Sequence, residues 1–147
     1  DKQPRGHVGD SAALLQAWQP LPAELQRWYA ILGPAGSANL STSRYSQWQR
    51  WHLQALQGRS TPLPAAYLAR IKNLKPGQYG LGWLGTEVEG RAMIFHTGAD
   101  EGFMSIVGLS LDGRLALFAM SNTFGWRPDG SSWVMDALNR TMVALLK

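Results

Sequence analysis

One short stretch of the chain, His96-Thr97-Gly98, combines residue types that can do chemistry. Histidine changes its charge close to neutral pH and can serve as an acid or a base, and Gly98 has no side chain to keep a ligand away from the backbone. The stretch directly follows an apolar run that ends at Phe95, so the pattern predicts that His96 stands at the end of a strand. The same pattern also fits a histidine at the edge of a hairpin that has no catalytic role.

The other two histidines lack such neighbours. His7 lies in a loosely patterned N-terminal segment, and His52 lies on a tryptophan-rich helix face, where we expect a partly buried histidine with satisfied hydrogen bonds. Neither His-Glu-x-x-His nor any pair of histidines at metal-binding spacing occurs. The chain has no cysteine, which excludes disulfides, thiolate metal sites and a cysteine nucleophile. No metal or other cofactor is therefore expected.

The spacing of apolar residues changes along the chain, and this change predicts an α+β fold. Residues 20–78 are mainly helical by this criterion, residues 79–121 form an antiparallel sheet meander, and residues 132–146 form a C-terminal helix. The expected helices run from Pro20 to Gly33-Pro34, from a cap at Ser41 or Thr42 to Gly58, and from Pro64 to Lys75. The expected strands are Tyr79–Leu84, Arg91–His96, Phe103–Leu111 and Arg114–Ser121, with Asp112-Gly113 as a hairpin turn.

Length, charge and hydropathy exclude several classes of protein. A chain of 147 residues with 45% hydrophobic residues can bury the core of one domain. The formal charge of +4 comes from scattered basic residues, so we expect no nucleic-acid partner, which would need clustering on one face. No apolar run is long enough for a transmembrane segment, and no signal peptide is recognisable. Because the chain begins at Asp1, we expect a processed product or a piece of a longer protein.

Seven tryptophans form another prominent feature of the sequence. Trp28, Trp48 and Trp51 lie close together and would suit a platform on which sugars stack. Trp48 and Trp51 are three residues apart on a predicted helix, however, and this spacing favours packing against a neighbouring element. Trp126, in the glycine-rich loop after the last predicted strand, is a candidate either to line a substrate cleft or to pack on the surface.

Several short motifs follow one another along the chain. They are Gly33-Pro34-Ala35-Gly36-Ser37, Leu40-Ser41-Thr42 with the helix that follows, Tyr79-Gly80-Leu81-Gly82-Trp83, His96-Thr97-Gly98 with Gly102-Phe103, and a strand hairpin that ends in Ser121-Asn122. In this order and spacing they resemble the C-terminal half of the serine β-lactamase and penicillin-binding-protein family, most closely its class C and esterase-like branch. The resemblance spans about Gly6 to Lys147 and implies that residues 1–147 are a single C-terminal segment of a β-lactamase-like domain.

The resemblance implies a role for each residue of the His-Thr-Gly stretch. The third active-site motif of the family is Lys-Thr-Gly, and many esterase- and peptidase-like members have His-Thr-Gly or a similar variant there. By this resemblance His96 orients the substrate and assists proton transfer near the leaving group, and Thr97 hydrogen-bonds a polar group of the substrate. The backbone N–H of Ala99 is one of two oxyanion-hole donors, and the amide of the nucleophile is the other. Gly98 and Trp126 are the substrate-binding candidates.

Two motifs of the family are missing from the chain. Its nucleophile is the serine of Ser-x-x-Lys, and no serine here has lysine three residues later; Ser41 has Arg44, which cannot accept a proton near neutral pH. No Tyr-x-Asn occurs, and Ser37-Ala38-Asn39 matches the alternative Ser-x-Asn by letter only, because it lies downstream of where that motif belongs. By the resemblance, both missing motifs precede Asp1 in the full-length protein.

The sequence thus supports one leading hypothesis about function and two alternatives. By resemblance, the full-length protein is a periplasmic or extracellular serine hydrolase that forms an acyl-enzyme. Its expected substrate is a small amide or ester, with peptidoglycan-related compounds among the candidates. This chain alone is expected to be inactive. Histidine in place of lysine favours ester or peptide substrates over β-lactams, because it holds less positive charge near neutral pH. The alternatives are a non-catalytic peptidoglycan- or glycan-binding module and an α+β domain with an accidental motif.

The resemblance also implies a structural partner. The family's sheet has five strands, two of them from the N-terminal part of the domain, so an edge strand and an apolar face are expected to be uncovered in this chain. We therefore expect the chain to be ordered only beside that missing segment or by self-association.

Overall fold

The chain has an α+β fold, as the sequence predicted. The computed structural model describes residues 4–20, 22–36, 38 and 40–146, so Ser37 and Asn39 of the Ser-x-Asn stretch lie outside the described residues. Contacts between Cα atoms divide the chain into two compact units. The first unit comprises residues 1–39, 98–105 and 120–138, and the second comprises residues 40–97, 106–119 and 139–147.

The described part of the chain contains four α-helices and eight strands. The helices are α1 (Ala23–Gly36), α2 (Thr42–Leu56), α3 (Ala65–Lys72) and α4 (Trp133–Ala144), and a short 3₁₀ helix covers Ala12–Leu14. The strands are β1 (His7–Val8), β2 (Gln16–Ala17), β3 (Tyr79–Gly80), β4 (Trp83–Val88), β5 (Arg91–Asp100), β6 (Phe103–Ser110), β7 (Ala116–Ser121) and β8 (Thr123–Phe124). Helices α1 to α3, strands β3 to β7 and helix α4 fall within the three segments expected from the sequence.

Local sequence signals explain where α2 and α3 begin and where α2 ends. Ser41 is the N-cap of α2, one of the two predicted, and its Oγ accepts a hydrogen bond from the backbone N–H of Arg44 at 3.4 Å. Gly58 follows α2 with a φ of 82°, the left-handed conformation that commonly ends a helix. Helix α3 begins directly after Pro64, where the missing N–H of proline breaks no helical bond.

Two predicted helix ends are wrong, and the first is that of α3, which stops at Lys72 and not at Lys75. The sequence placed the end of α1 at Gly33-Pro34, but the helix continues through both residues to Gly36. The physical reason is that the fixed φ of proline, about −65°, is itself a helical value. Proline removes one hydrogen bond near the C-terminal end of α1 without forcing the backbone out of the helix.

The main sheet is an antiparallel meander in the order β3-β4-β5-β6-β7. Three of its connections are two-residue turns in which both residues have a positive φ, namely Leu81-Gly82, Glu89-Gly90 and Glu101-Gly102. Such turns match the twist of the strands they join. The prediction of a single strand from Tyr79 to Leu84 is therefore wrong, because the Leu81-Gly82 turn folds this stretch into the β3–β4 hairpin.

The hairpin signal at Asp112-Gly113 marks a turn, but a wider one than expected. Five residues separate β6 from β7, and the two strands are shorter than predicted at this end. The Asp112 carboxylate accepts hydrogen bonds from the Ser110 hydroxyl at 2.5 Å and from the backbone N–H of Arg114 at 3.0 Å. These bonds hold the aspartate within a side-chain-stabilised loop, so a two-residue turn does not form.

The strand count differs from what the family resemblance implied. All five strands of the main sheet come from this chain. Strand β7 is an edge strand of that sheet, and residues 116–121 include neither a charged residue nor a proline, the features that commonly protect an exposed edge. The expected cover by a missing segment or by a second copy remains a prediction.

Each unit has its own packing. The core of the second unit is formed by Ile71, Trp83, Ile94, Val107 and Leu109, all less than 5% exposed. The first unit contains a small sheet in the order β2-β1-β8, in which β1 is antiparallel to β2 and parallel to β8. None of the described helices is long and apolar enough to cross a membrane.

Candidate functional site on strand β5

The His-Thr-Gly stretch lies inside a strand and not at its end. Strand β5 continues four residues beyond His96, to Asp100, so the prediction that the strand ends at His96 is wrong. The reason lies in the next turn, because Glu101 and Gly102 have φ values of 46° and 80° and reverse the chain within two residues. With so tight a turn there, Thr97 and Gly98 can remain extended.

The neighbouring strand β4 does not accompany β5 over its whole length. The register runs from Val88 opposite Arg91 to Leu84 opposite Phe95, and no further pair follows. The chain reaches β4 from β3 through the Leu81-Gly82 turn, so the residues before Trp83 pair within the β3–β4 hairpin and do not extend β4 along β5. In the part of the chain that the structure describes, no strand pairs with β5 on that side after Phe95.

The peptide groups that this shortened pairing leaves uncovered can be identified from the ladder. The carbonyl of Ala92 accepts a hydrogen bond from the N–H of Leu111, just past β6, at 2.9 Å. In an antiparallel sheet, successive residues of a strand direct their N–H and C=O groups to opposite neighbours. Ala92 therefore bonds on the β6 side, and Phe95, Thr97 and Ala99 are directed to the β4 side. Thr97 and Ala99 lie beyond Trp83, where β4 begins, so no strand among the described residues covers their peptide groups on this side, and they form an open edge.

The side chains of the stretch are accessible to solvent. His96, Thr97 and Ala99 are exposed and Gly98 is half-buried. Gly98 has a packing reason to lack a side chain, since a Cβ there would lie 2.8 Å from the Ser105 hydroxyl oxygen on β6. The sequence assigned the glycine to ligand approach, and the contact with Ser105 is a second reason, although rotation of the Ser105 hydroxyl would relieve it.

Trp126, Gly98 and Ala99 belong to the first unit, whereas His96 and Thr97 belong to the second. Trp126 lies in the loop after β8 and is 45% exposed. Its ring meets that of Phe124 edge-on, with centroids 5.5 Å apart. The predicted role of Trp126 in lining a cleft stays a prediction, but its ring is accessible, whereas Phe124 is half-buried.

The tryptophan-rich face of α2 packs inside the second unit. Trp48 stacks on Trp83 with ring centroids 5.7 Å apart and an interplanar angle of 9°, and Trp83 is 3% exposed. The ring of Tyr45 lies 5.3 Å from that of Trp48. The predicted packing role of Trp48 is confirmed, and its indole is not part of a flat sugar-binding platform. The side chain of Trp28 lies outside the described parts of the structure.

His52 is the histidine that the structure buries completely. The indole N–H of Trp83 donates to the Tyr67 oxygen at 2.7 Å, which leaves the Tyr67 hydroxyl free to donate to Nε2 of His52 at 2.8 Å. Nδ1–H of His52 then donates to the carbonyl of Trp48 at 2.9 Å. Burial lowers the pKa of His52 and raises the pKa of Tyr67. The expectation of a satisfied core histidine is confirmed.

One residue of this region was missed by sequence reasoning. Leu81 has a φ of 53°, which is costly for a branched aliphatic residue, and β4 begins only after its turn, at Trp83. The signal was available, because Leu81 stands between Gly80 and Gly82 and a glycine at the second position suits a two-residue turn. The apolar run around it obscured the turn.

Comparisons with known proteins do not assign the chain to a family. No family model matches it, and no curated protein or solved structure matches it. Among the described residues, no three His, Asp or Glu side chains are grouped as a metal ion would require. The resemblance to serine β-lactamases therefore depends on the sequence motifs, and the open edge of β5 is the structural observation to set beside them.

Proposed function

We propose that this chain supplies the substrate-binding strand of a serine acyl hydrolase of the β-lactamase-related kind. The observation that carries the proposal is the open edge of β5 at Thr97 and Ala99. An N–H that is already paired in a sheet cannot donate to a ligand, whereas these two groups are directed away from β6 and lie beyond the end of β4.

The chemistry requires such a group. Attack of a serine on an ester or amide carbonyl places a negative charge on the carbonyl oxygen, and fixed backbone N–H donors stabilise that charge. The N–H of Ala99 is one donor in this proposal, and the amide of the nucleophilic serine is the other. Loss of one such donor typically lowers kcat by about 100-fold to 1000-fold. The side chain at position 99 takes no part, which suits alanine.

The neighbouring side chains have complementary roles. The exposed imidazole of His96 orients the substrate and assists proton transfer near the leaving group, and the Thr97 hydroxyl hydrogen-bonds a polar group of the substrate. A histidine holds less positive charge than a lysine at neutral pH, so we propose small ester or peptide substrates rather than β-lactams. The setting that goes with this activity is the periplasm or the cell exterior.

The nucleophile comes from outside this chain in our proposal. Ser41 has the nearest approach to the Ser-x-x-Lys motif, but its hydroxyl is engaged as the cap of α2 and lies 3.0 Å from the Ser43 hydroxyl. Arg44, three residues later, cannot serve as the base. A segment that carries Ser-x-x-Lys, or a second protein, therefore completes the enzyme.

A non-catalytic peptidoglycan- or glycan-binding module is the second candidate. The observation in its favour is the exposed indole of Trp126, which the half-buried ring of Phe124 meets edge-on, because sugars stack on exposed rings. The stacking of Trp48 on Trp83 speaks against a larger platform on α2. Reading the coding sequence upstream of Asp1 separates the two: Ser-x-x-Lys followed by Tyr-x-Asn favours the hydrolase, and the absence of both favours the binder.

Labelling the isolated chain tests the assignment of the nucleophile. The 147-residue chain is incubated with a fluorophosphonate probe and, separately, with a β-lactam, and its intact mass is measured. We expect no change in mass with either reagent. A stoichiometric adduct on any serine of this chain would overturn the proposal that the nucleophile lies elsewhere.

A further inference from the structure

We propose that the β3–β4 hairpin and the basic residues beside it bind an anionic phospholipid surface. The residues concerned are Lys72, Lys75, Tyr79 and Leu81, and together they are called the basic hairpin surface. The proposal does not depend on the proposed enzymatic function.

Positive charge is segregated from negative charge in this part of the chain. No Asp or Glu occurs between Glu24 and Glu87. The same stretch contains the basic residues Arg27, Arg44, Arg50, Arg59, Arg70, Lys72 and Lys75. The last three are exposed, and the ion pairs found among the described residues do not include them. The sequence interpretation treated the basic residues as scattered, but this segregation leaves them without neighbouring carboxylates along the chain.

The tip of the hairpin is apolar and accessible. Tyr79 is 66% exposed and Leu81 is 45% exposed. Leu81 also has a φ of 53°, at the first position of a turn where asparagine, aspartate or glycine would be less strained. Neither burial nor turn geometry explains a leucine here. A surface that receives the side chain would explain it.

Backbone hydrogen bonds join the segment that carries Lys75 to the β3–β4 hairpin. The N–H of Gln78 donates to the carbonyl of Lys75 at 2.9 Å, and the N–H of Gly77 donates to the carbonyl of Gly85 on β4 at 2.9 Å. The segment that carries Lys75 is thereby fixed to the base of the hairpin. Lys72 ends α3 just before this segment, so Lys72 and Lys75 lie in the stretch of chain that leads into the hairpin.

The combination of groups favours a lipid surface over other polyanions. Anionic headgroups attract lysine and arginine, and the boundary beneath them accepts tyrosine and leucine side chains. A nucleic acid would be attracted by the same charges, but an aliphatic leucine gains nothing from phosphates, and a leucine that enters a duplex must first unstack its bases. The apolar tip is therefore the feature that identifies the partner.

Vesicle flotation tests the proposal. The chain is mixed at low salt with vesicles of phosphatidylcholine that contain phosphatidylglycerol, and with vesicles of phosphatidylcholine alone. We expect binding to the anionic vesicles only. Binding should decrease strongly at 0.5 M salt, where the Debye length is about 4 Å. Binding to heparin and to duplex DNA is measured in parallel.

Two pairs of variants separate location from net charge and from general apolarity. The first comparison is between two double variants. One combines Lys72→Gln and Lys75→Gln, and the other combines Arg114→Gln and Arg140→Gln, which removes the same charge from exposed sites elsewhere. We expect about 25-fold weaker binding for the lysine pair, at about five-fold per charge near the surface, and less than about three-fold for the arginine pair. Leu81→Asn, which suits the turn, should weaken vesicle binding about ten-fold, unlike Leu145→Asn at a site that is 61% exposed.

Three results would overturn the proposal. The first is an absence of binding to anionic vesicles. The second is an equal loss in the lysine and arginine pairs, which would reduce the effect to net charge. The third is a combination of two observations: the protein binds heparin or DNA, and Leu81→Asn does not weaken its binding to vesicles. This combination would indicate a polyanion in solution as the partner.

Discussion

Leu84 and Phe95 form the last registered pair between β4 and β5. The pair matters because the chain turns at Leu81-Gly82, so β4 has no residue to place opposite Thr97 or Ala99. Strand β5 meanwhile continues to Asp100. Within the described part of the chain, the result is a strand that is paired on both sides at its beginning and on the β6 side alone at its end. The sequence motif predicted for catalysis lies in that second part.

Amide hydrogen exchange tests this geometry. We expect the amides of Thr97 and Ala99 to exchange at least about 100-fold faster than those of Met93 and Phe95, because only the latter pair with β4. The four residues share one strand and one direction, which makes them matched controls for each other. NMR-detected exchange in D₂O gives the four rates. Equal protection at all four positions would show that another segment covers the edge.

The left-handed residues of the turns give a stability prediction. Glu89 has a φ of 50° in the β4–β5 turn, a position that asparagine occupies with less strain. We expect Glu89→Asn to raise the free energy of unfolding by about 0.5 to 1 kcal/mol in urea denaturation. Glu87→Asn removes the same charge from the exposed face of β4 and serves as the control. It should be neutral or destabilising, because asparagine is a poor strand residue. A similar gain from both variants would assign the effect to charge.

The buried polar chain of the second unit depends on Tyr67. Replacing Tyr67 with phenylalanine leaves Nε2 of His52 and the indole N–H of Trp83 without their partner. Unsatisfied buried polar groups cost about 1 to 3 kcal/mol, so we expect a loss of stability in this range. Tyr79→Phe is the matched control, since Tyr79 is 66% exposed and should change stability by less than about 0.5 kcal/mol. Chemical denaturation of the two variants compares them directly, and equal effects would contradict the network.

His52 should make the stability of the fold depend on pH. Burial lowers its pKa in the folded state below the ordinary value of about 6.5 that it keeps when unfolded. As the pH falls through that value, the unfolded chain takes up a proton that the folded chain does not, so stability decreases. We expect the denaturation midpoint to decrease as the pH is lowered from 7 to 5. The decrease per pH unit should be smaller in His52→Gln. Parallel profiles for the two proteins would contradict this role of His52.

Local signals made much of the fold predictable. The cap at Ser41, the start after Pro64 and the apolar runs in β5 and β6 are each visible in a few adjacent residues. Burial of His52 was also foreseeable, because it shares a helix face with Trp48. These features depend on neighbours in sequence or on one turn of helix, which is the range that a pattern can report.

The errors have a common physical origin in backbone conformation. Leu81, Glu89 and Glu101 adopt positive φ values that are uncommon for leucine and glutamate, so the sequence does not predict them. The turns that contain these residues set the ends of β4 and β5. The Asp112-Gly113 signal is stronger by composition, yet side-chain bonds to Asp112 make a wider loop. The open edge at Thr97 and Ala99 follows from the turns, so the candidate site could be named from sequence but its geometry could not.

The most direct test of the proposed function is the loss of one N–H at position 99. The protein is expressed from its complete gene, and its ester hydrolysis and fluorophosphonate labelling are measured for Ala99→Pro and for Ala99→Gly. Proline is tolerated where the N–H faces an open strand edge, and glycine keeps the donor, so both variants should remain folded by circular dichroism. We expect labelling of a serine outside these 147 residues, with kcat reduced about 100-fold or more by proline and only a few-fold by glycine. Absence of serine labelling, or full activity with proline at position 99, would contradict the proposal.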